Sequence, residues 1–268
     1  MSTWKNFLKK PFNQLLRHLG YQLVKYSSSG KAYNHFENHL KTLFERLEIN
    51  CVLDIGAHVG TYRNFLRKNI EYSGLIVSFE PIKKHIDILR QGSEKDDNWE
   101  IEAYALGSEE AQMTINVMKT SDFSSFLAPD TSNTDHIIIG ENPTQYQLSS
   151  HNIVDYQEVC DVKRFDNAME DLQSRVCIEN IFVKIDTQGY DLEVIKGAQR
   201  TLEEKILALQ FEASCLGIYK GMPNYLNVLH ELSEKGFDIT FFNPIAKDNL
   251  FRIVEFDCIL INRFLTKH

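Results

Sequence analysis

The sequence lacks the features that mark a membrane-spanning, secreted or disulfide-stabilised protein. Its 268 residues contain no run of eighteen apolar residues, so no helix is predicted to span a bilayer. The N-terminal residues do not follow the signal-peptide pattern of a basic start, an apolar block and a small-residue cleavage site. The five cysteines are scattered, and none forms a CxxC pair. These absences favour reduced cysteines and a cytoplasmic location.

Acidic residues are absent from the first 36 positions. This segment holds six of the 29 basic residues, whereas all 37 acidic residues follow it, and the formal net charge is −8. The acidic balance argues against a nucleic-acid partner. We interpret residues 1–32 as a basic appendage and residues 33–268 as one α/β domain.

The appendage carries an apolar helical face. Its apolar residues recur at spacings of three and four: Trp4, Phe7, Leu8, Phe12, Leu15, Leu16 and Leu19. On a basic helix, such a face suits peripheral contact of residues 1–26 with an anionic membrane, at its inner face. It equally suits packing against the domain or against a second copy of the chain in a homo-oligomer. The sequence leaves both interpretations open.

Beyond the appendage, short apolar runs alternate with helical patterns. The predicted strands include Cys51–Ile55, Leu75–Phe79, Trp99–Ala105, Ile181–Ile185 and Ile206–Phe211. Leu192–Glu204 predicts a single helix. The alternation indicates a mostly parallel sheet with helices on both faces. Phe237–Phe242 and Phe256–Ile261 have no helix between them, so they predict a closing antiparallel hairpin.

Residues 119–156 do not fit this alternation. The stretch is rich in Ser, Thr, Asn and Asp and is long for a connection inside an α/β domain. Such a segment is either disordered or covers a binding site. We expect it to be a lid or substrate loop.

The motif "VLDIGAHVGTY" at Val52–Tyr62 is typical of a strand followed by a ligand-binding turn. Gly56 and Gly60 allow a sharp turn and a close approach of the backbone to a ligand. A dinucleotide fingerprint requires glycine two positions after Gly56, where this chain has His58. The carboxylate of Asp54 would repel a pyrophosphate and attract an ammonium or sulfonium. The motif therefore argues against a nicotinamide oxidoreductase.

Glu80 ends the next predicted strand, 24 residues after Gly56. A carboxylate there can accept both hydroxyls of a ribose. A ribose together with a positively charged tail indicates S-adenosylmethionine. The alternative is that Asp54 merely caps the helix that follows it.

Four motifs together resemble those of FkbM-type methyltransferases: "VLDIGAHVGTY", "IVSFEP", "AYALG" and "VKIDTQGYDLEVIKGA". The resemblance covers approximately Asn34–Arg263. It implies an S-adenosylmethionine-dependent O-methyltransferase with a Rossmann-like class I fold, built on a mostly parallel seven-stranded sheet. The family often has Asn at the position of His58 and Glu at the positions of Gln188 and Asp191, so no role that needs a carboxylate at 188 is carried over.

The resemblance also implies a cofactor site. Its residues would be Asp54, Gly56, Ala57, His58, Gly60, Glu80, Pro81, Ala105, Leu106, Ser124, Ser125 and Asp186. Glu80 would hold the ribose, and Pro81 would shape the turn beside the adenine. Ala105 and Leu106 would flank the adenine ring. Asp186, at the end of a core strand, would face the methyl group.

Methyl transfer to an oxygen needs alignment of the partners and a group that accepts the hydroxyl proton. The candidates are Asp186, Glu212 and His58. Asp186 and Glu212 end consecutive predicted strands, so one could be the base, or both could bind a divalent cation or acceptor hydroxyls. The sequence does not require a metal. The non-catalytic alternatives are that Asp186 caps a helix and that His58 forms a hydrogen bond to the cofactor as an asparagine would.

The sequence therefore predicts a methyltransferase that uses S-adenosylmethionine and acts on a hydroxyl of a sugar, glycan or natural product. A non-catalytic Rossmann-like module that binds a nucleotide or glycan is the alternative. Acceptor pockets are built from loops that show no sequence pattern, so the acceptor itself is not predicted.

Overall fold

The predicted alternation of strands and helices is present in the computed structural model, which describes residues 34–139 and 146–266. In chain order the strands are β1 (Cys51–Ile55), β2 (Leu75–Phe79), β3 (Trp99–Glu102), β4 (Ala105–Gly107), β5 (Ala111–Met118), β6 (Ile138–Ile139), β7 (Tyr146–Gln147), β8 (Val154–Arg164), β9 (Ile181–Ile185), β10 (Ile206–Ser214), β11 (Phe237–Lys247) and β12 (Ile253–Asn262). The α-helices are α1 (His35–Arg46), α2 (Thr61–Phe65), α3 (Lys83–Ser93), α4 (Thr131–Thr134), α5 (Phe165–Gln173), α6 (Asp191–Gly197), α7 (Gln199–Glu204) and α8 (Tyr225–Glu234).

Residues 39–268 form one compact unit. The predicted appendage, and with it the predicted membrane contact of residues 1–26, lies outside the described residues. Across the two described ranges, none of the helices has both the length and the apolar character needed to cross a membrane.

Seven strands form the central sheet, in the order β11-β12-β10-β9-β1-β2-β3. The strands β3, β2, β1, β9 and β10 are parallel, whereas β12 is antiparallel to both β10 and β11. The predicted class I methyltransferase fold, with its mostly parallel seven-stranded sheet and closing hairpin, is confirmed. Because β2 and β9 lie on opposite sides of β1, the strand order reverses at the carboxyl end of β1. Ligands of open α/β sheets bind at such a point.

The central strands are buried on both faces. All five residues of β1 and all five of β9 are buried, which explains their near-continuous apolar sequences. Leu53, Val183 and Phe211 belong to the main apolar cluster, and helices α5 and α6 contribute Phe165 and Ile195 to it. Burying a side chain of this size stabilises the fold by roughly 1.5–3 kcal/mol.

Two predicted elements are wrong in the same way, because each is divided in the structure. The strand predicted at Trp99–Ala105 ends at Glu102, and β4 then joins a second sheet of order β4-β8-β5. The helix predicted at Leu192–Glu204 is interrupted at Ala198, where φ is −99° and ψ is 22°. Hydrophobic periodicity continues through both positions, so it does not show where the pairing partner or the helix axis changes.

Residues 119–156 are folded wherever the structure describes them. We call residues 119–139 and 146–156 the cap segment. It contains α4, the antiparallel pair β6–β7 and two short 3₁₀ turns. Ile137, Ile139 and Leu148 pack with Ile218 and Val254 in a small apolar cluster of their own. The described part of this segment therefore has regular structure, and its role as a lid stays a prediction.

The cysteines are free thiols. Cys51, Cys160 and Cys258 are buried, Cys215 is partly buried and Cys177 is exposed. Burial raises the pKa of the thiols of Cys51, Cys160 and Cys258 to about 12, which keeps them protonated and unreactive. The interpretation as reduced core residues therefore fits three of the five.

Replacing Gly197 by alanine should destabilise the domain by about 3 kcal/mol, because overpacking against fixed backbone cannot relax easily. A Cβ at this position would lie 1.8 Å from the carbonyl oxygen of Gly107, where α6 crosses β4. Urea unfolding measures the loss. Gly221→Ala is the control: its Cβ would meet nothing within 4 Å, and its φ of +73° should cost only about 1 kcal/mol. Equal losses in the two variants would contradict the steric explanation.

Candidate active site

The turn after β1 packs directly against the end of β9. Gly56 has φ +82°, and a Cβ there would lie 1.9 Å from the carbonyl oxygen of Asp186. Its backbone N–H donates to the carbonyl of Phe79 at 3.0 Å, as does that of Ala57 at 3.1 Å. Gly60 also has a positive φ, of 83°, and lies against the ring of Trp99. Glycine at 56 is thus required by contact as well as by conformation.

Asp54 is only 1% exposed, and one of its carboxylate oxygens has no partner. Ser78 Oγ donates to Asp54 Oδ2 at 3.3 Å and accepts from the Trp99 indole at 2.9 Å, whereas Oδ1 is buried without a hydrogen bond. Burial raises the pKa of Asp54 to about 6, against the opposing effect of Lys184. Helix α2 begins after Gly60 with no side-chain cap, so the alternative that Asp54 caps it is wrong. An orphaned buried oxygen marks a position that a ligand can complete.

Glu80, which follows β2, stabilises the same turn by hydrogen bonds. It is 4% exposed, and its Oε2 accepts from the backbone N–H of His58 at 2.8 Å. Its Oε1 accepts from the N–H of Ile82 at 2.9 Å and lies 3.3 Å from His85 Nδ1. A carboxylate offers about four lone pairs, so this arrangement leaves capacity for a hydroxyl. The role in holding a ribose stays a prediction.

His58 links the turn to the cap segment. Its Nε2 lies 2.7 Å from Ser121 Oγ, and its Nδ1 lies 3.3 Å from Asp122 Oδ1. Burial and the neighbouring His85 ring lower the pKa of His58. The direction of the hydrogen bond between Nε2 and Ser121 depends on the ring tautomer, and Nδ1 lies near the Asp122 carboxylate. Where Ser121 donates to Nε2, proton acceptance at that nitrogen requires this bond to be broken.

Asp186 and Glu212 share one cleft at the ends of β9 and β10. Lys184 Nζ donates to Asp186 Oδ2 at 2.6 Å. The Gln188 side-chain amide donates to Asp186 Oδ1 at 2.9 Å and to Glu212 Oε1 at 3.3 Å. Burial by itself would lower the pKa of Lys184, but the carboxylates of Asp186, Glu212 and Asp54 raise it above its usual value. Lys184 is therefore a charged group only 7% exposed.

The hairpin adds further acids to this cleft. On β12, Asp257 lies opposite Glu212 and Glu255 lies opposite Ser214. Burial and the Asp186 charge raise the pKa of Glu212 well above its usual range, and they raise that of Glu255 to about 7. Burial also raises the pKa of Asp257, which accepts from the Gln210 amide at 2.7 Å. Asp54, Glu212, Glu255 and Asp257 thus hold protons at a higher pH than free carboxyls do.

The remaining predicted cofactor residues have structural contacts of their own. Ala105 and Leu106 are buried on β4, and Leu106 belongs to the main core. Ser124 Oγ accepts from the backbone N–H of Met118 at 3.2 Å. Ser125 Oγ donates to the carbonyl of Gln188 at 2.7 Å, which ties the cap segment to the loop after β9.

Pro81 follows Glu80 and lies at the wall of an open cavity of about 340 Å³ between α3 and the second sheet. Most of the side chains that line the cavity are exposed, Val159 and Asp161 among them, whereas Ile86 and Cys160 are buried. The prediction that Pro81 shapes the turn beside an adenine remains a prediction.

A second layer of polar contacts was not predicted from the sequence. Tyr62 OH donates to Gln210 Oε1 at 2.9 Å, and Gln210 passes the network on to Asp257. The Lys184 ammonium lies 5.2 Å from the centre of the Tyr62 ring. Gln210 lies inside the apolar run of β10. An amide in such a run is the one sequence signal that could have indicated a polar contact there.

No group of three or more His, Cys, Asp or Glu side chains in residues 34–139 and 146–266 is arranged to hold a metal ion. The acids of the cleft are instead occupied by Lys184, Gln188 and Gln210. The chemistry of the described cleft is therefore that of carboxyls, one ammonium and two amides.

Comparison with known proteins identifies the family of this arrangement. A family model described as the methyltransferase FkbM domain matches residues 54–239, which is more than half of the chain. The match begins at Asp54 and includes Glu80, Asp186 and Glu212. None of the curated proteins matches the sequence.

Solved methyltransferase structures resemble the chain at low identity. A methyltransferase FkbM from Methylobacillus flagellatus KT is 14% identical, with a TM-score of 0.47 over 80% of this chain and 44% of its own. A SAM-dependent methyltransferase from Aquifex aeolicus is 14% identical, with a TM-score of 0.40 over 93% and 98%. Aeropyrum pernix fibrillarin in complex with S-adenosyl-L-methionine is 11% identical, with a TM-score of 0.43 over 84% and 73%. The chain spans less than half the length of the Methylobacillus protein.

Glu255→Gln should remove a pH-dependent loss of stability. A carboxyl whose pKa is raised from 4.5 to about 7 on folding stabilises fully below pH 4.5, and that contribution is lost as the pH rises to about 7. The free energy of unfolding of the variant should therefore rise relative to that of the wild type between these pH limits, and the difference should reach about 3 kcal/mol above pH 7. Thermal unfolding across this range measures it, with the exposed Glu179→Gln as control. A difference that does not change with pH would contradict the raised pKa.

Proposed function

Since the chain belongs to the FkbM methyltransferase family, we propose that it transfers a methyl group from S-adenosylmethionine to a hydroxyl of a sugar, glycan or natural product. The observation that carries this proposal is the buried, unpartnered Oδ1 of Asp54 beside the glycine turn. A buried carboxylate oxygen without a donor is costly unless a ligand supplies one. The ammonium of the cofactor is a donor of the right charge.

The residues present fit this cofactor. Asp54 would hold its ammonium, and Glu80 would accept from its ribose with the lone pair left by His58, Ile82 and His85. The absence of a side chain at Gly56 keeps the turn in contact with the backbone of Asp186. When bound, S-adenosylmethionine supplies a methyl group activated by its sulfonium. Alignment of the acceptor is then the main task of the protein.

Asp186 is proposed as the group that accepts the hydroxyl proton. It ends β9 at the cleft, is partly exposed, and is paired with the charged Lys184 at 2.6 Å. A carboxylate within hydrogen-bond reach of a hydroxyl can act as a general base. Lys184 fixes one of its oxygens, and the other faces the amide of Gln188. The orientation of Asp186 is thereby fixed before an acceptor arrives.

The acidic walls of the cleft support a hydroxyl acceptor. Glu212, Glu255 and Asp257 are all on the hairpin side of Asp186, with one ammonium to balance them. Carboxyl groups accept hydrogen bonds from the hydroxyls of sugars, whereas an acceptor that carries phosphate or carboxylate would be repelled. A neutral polyhydroxylated acceptor therefore suits the site better than an anionic one.

Calorimetry with S-adenosylhomocysteine tests the cofactor site. Wild-type protein should bind it, and Asp54→Asn should weaken binding about ten- to hundredfold, because a hydrogen bond to a charged group is worth about 1.5–3 kcal/mol. Asp161→Asn, on the exposed face of β8, is the matched control and should bind as the wild type does. Folded protein that binds no S-adenosylhomocysteine would favour a non-catalytic module instead.

Asp186→Asn tests the proton acceptor. Removing a general base should lower kcat by about 10²–10⁴-fold, while the affinity for S-adenosylhomocysteine falls much less. Turnover is measured as transfer of radiolabelled methyl from S-adenosylmethionine to a panel of neutral sugars and polyols. Unchanged kcat in this variant, with the Asp161→Asn control also unchanged, would remove Asp186 from the catalytic role.

A further inference from the structure

We propose that Gln188 is a positioning residue which, held by Tyr219, donates to both Asp186 and Glu212 and so lowers the pH at which Glu212 loses its proton. The inference rests on the proposed function, because it concerns the groups that would meet the acceptor hydroxyl. It is carried by the hydrogen bonds of one amide group that touches both carboxyls at once.

The amide of Gln188 is placed between the two acids. Its nitrogen donates one hydrogen to Asp186 Oδ1 at 2.9 Å and the other to Glu212 Oε1 at 3.3 Å. An amide nitrogen has two hydrogens, so both are used. Without this group, two carboxyls at the ends of neighbouring strands would face each other with no donor between them.

The backbone of Gln188 is held in a conformation that a side-chain-bearing residue adopts at a cost. Its φ is +50°, in the left-handed region. Ser125 Oγ donates to its carbonyl at 2.7 Å from the cap segment. Such a backbone persists where its surroundings fix it, and it aims the side chain at the carboxyls.

Tyr219 fixes the direction of the amide. It is 2% exposed, and its single hydroxyl hydrogen is shared between two acceptors, the carbonyl of Phe123 at 2.8 Å and Gln188 Oε1 at 2.9 Å. Asp186, in its ion pair with Lys184, only accepts hydrogen bonds, so the amide nitrogen must face it. The oxygen of the amide then faces Tyr219, which supplies the matching donor.

The two carboxyls consequently have different roles. Asp186 is next to the ammonium of Lys184 and carries the charge that accepts a proton. The amide occupies Oε1 of Glu212, which leaves Oε2 as the oxygen on which a proton can lie. Burial and Asp186 raise the pKa of Glu212.

Other titratable groups also face Asp186 and Glu212 and influence the titration of Glu212. Asp54 and His58 approach from β1 and its turn, Lys184 from β9, and Glu255 and Asp257 from β12. These groups are the same in the Gln188 and Tyr219 variants below. A change in the titration of Glu212 therefore reports on the Gln188 amide and the Tyr219 hydroxyl.

The experiment is a carboxyl ¹³C NMR titration of Glu212 in protein labelled at glutamate, with its signal assigned by its loss in Glu212→Gln. Gln188→Met keeps the length of the side chain and removes the amide. Losing a donor to the charged form should raise the Glu212 midpoint by about one pH unit. Tyr219→Phe removes only the clamping hydroxyl and should raise the midpoint in the same direction, by less.

Two controls separate this effect from a general loss of packing. Gln112→Met removes an amide that bonds the exposed Asp161, and Tyr225→Phe removes a hydroxyl away from the cleft. Both should leave the Glu212 midpoint unchanged. A midpoint unchanged in Gln188→Met and Tyr219→Phe alike would overturn the proposal. If Gln188→Met does not fold, Tyr219→Phe decides alone.

Failure of this inference is distinguishable from failure of the proposed function. The titration needs no cofactor and no acceptor, whereas the proposed function requires wild-type protein to bind S-adenosylhomocysteine. Binding with an unmoved titration rejects only the role of Gln188. A moved titration without binding rejects the methyltransferase proposal and leaves the role of the amide in place.

Discussion

The ion pair between Lys184 and Asp186 is the contact on which the cleft depends. Its atoms lie 2.6 Å apart, and Lys184 is almost fully buried. A buried ammonium costs several kcal/mol unless carboxylates surround it, and the ammonium in turn stabilises the charged forms of Asp54 and Glu212. Each therefore stabilises the other, and neither the lysine nor the acids could occupy these positions alone. The single positive charge lets this sheet end in acids at three neighbouring strands.

The parallel sheet places these groups by register. Asp54 pairs with Ser78 on one side and with Lys184 on the other, and Lys184 pairs with Gln210. Paired residues of parallel strands point to the same face, so four polar side chains form a row across β2, β1, β9 and β10. The residues one position earlier, such as Leu53, face the opposite way into the apolar core. The polar row follows from the register of the strands. The absence of a side chain at Gly56 lets the turn after β1 pack against the end of β9 beside this row.

Local patterns explain which parts of this arrangement were predictable. The buried strands, the closing hairpin, and the acids at strand ends follow from short apolar runs and from the turn after β1, each contained in a few residues. The bonds that join Gln188 to Tyr219 and Tyr62 to Gln210 connect positions 31 and 148 residues apart. No periodicity encodes such contacts. The division of Trp99–Ala105 between two sheets was missed for the same reason, since strand pairing partners are distant in sequence.

The imbalance of charge around Lys184 has a consequence for the ligand. Asp54, Asp186, Glu212 and Asp257 interact with one ammonium, and burial first, then the charge of Asp186, raises the pKa values of Asp54, Glu212 and Glu255. A positively charged ligand would partly balance the excess of carboxyl groups over ammonium groups in the cleft. It would favour ionised carboxyls, so its binding would release protons and tighten as the pH rises. An anionic ligand would have to add protons instead. The cleft is thus electrostatically prepared for a cation before any specific contact forms.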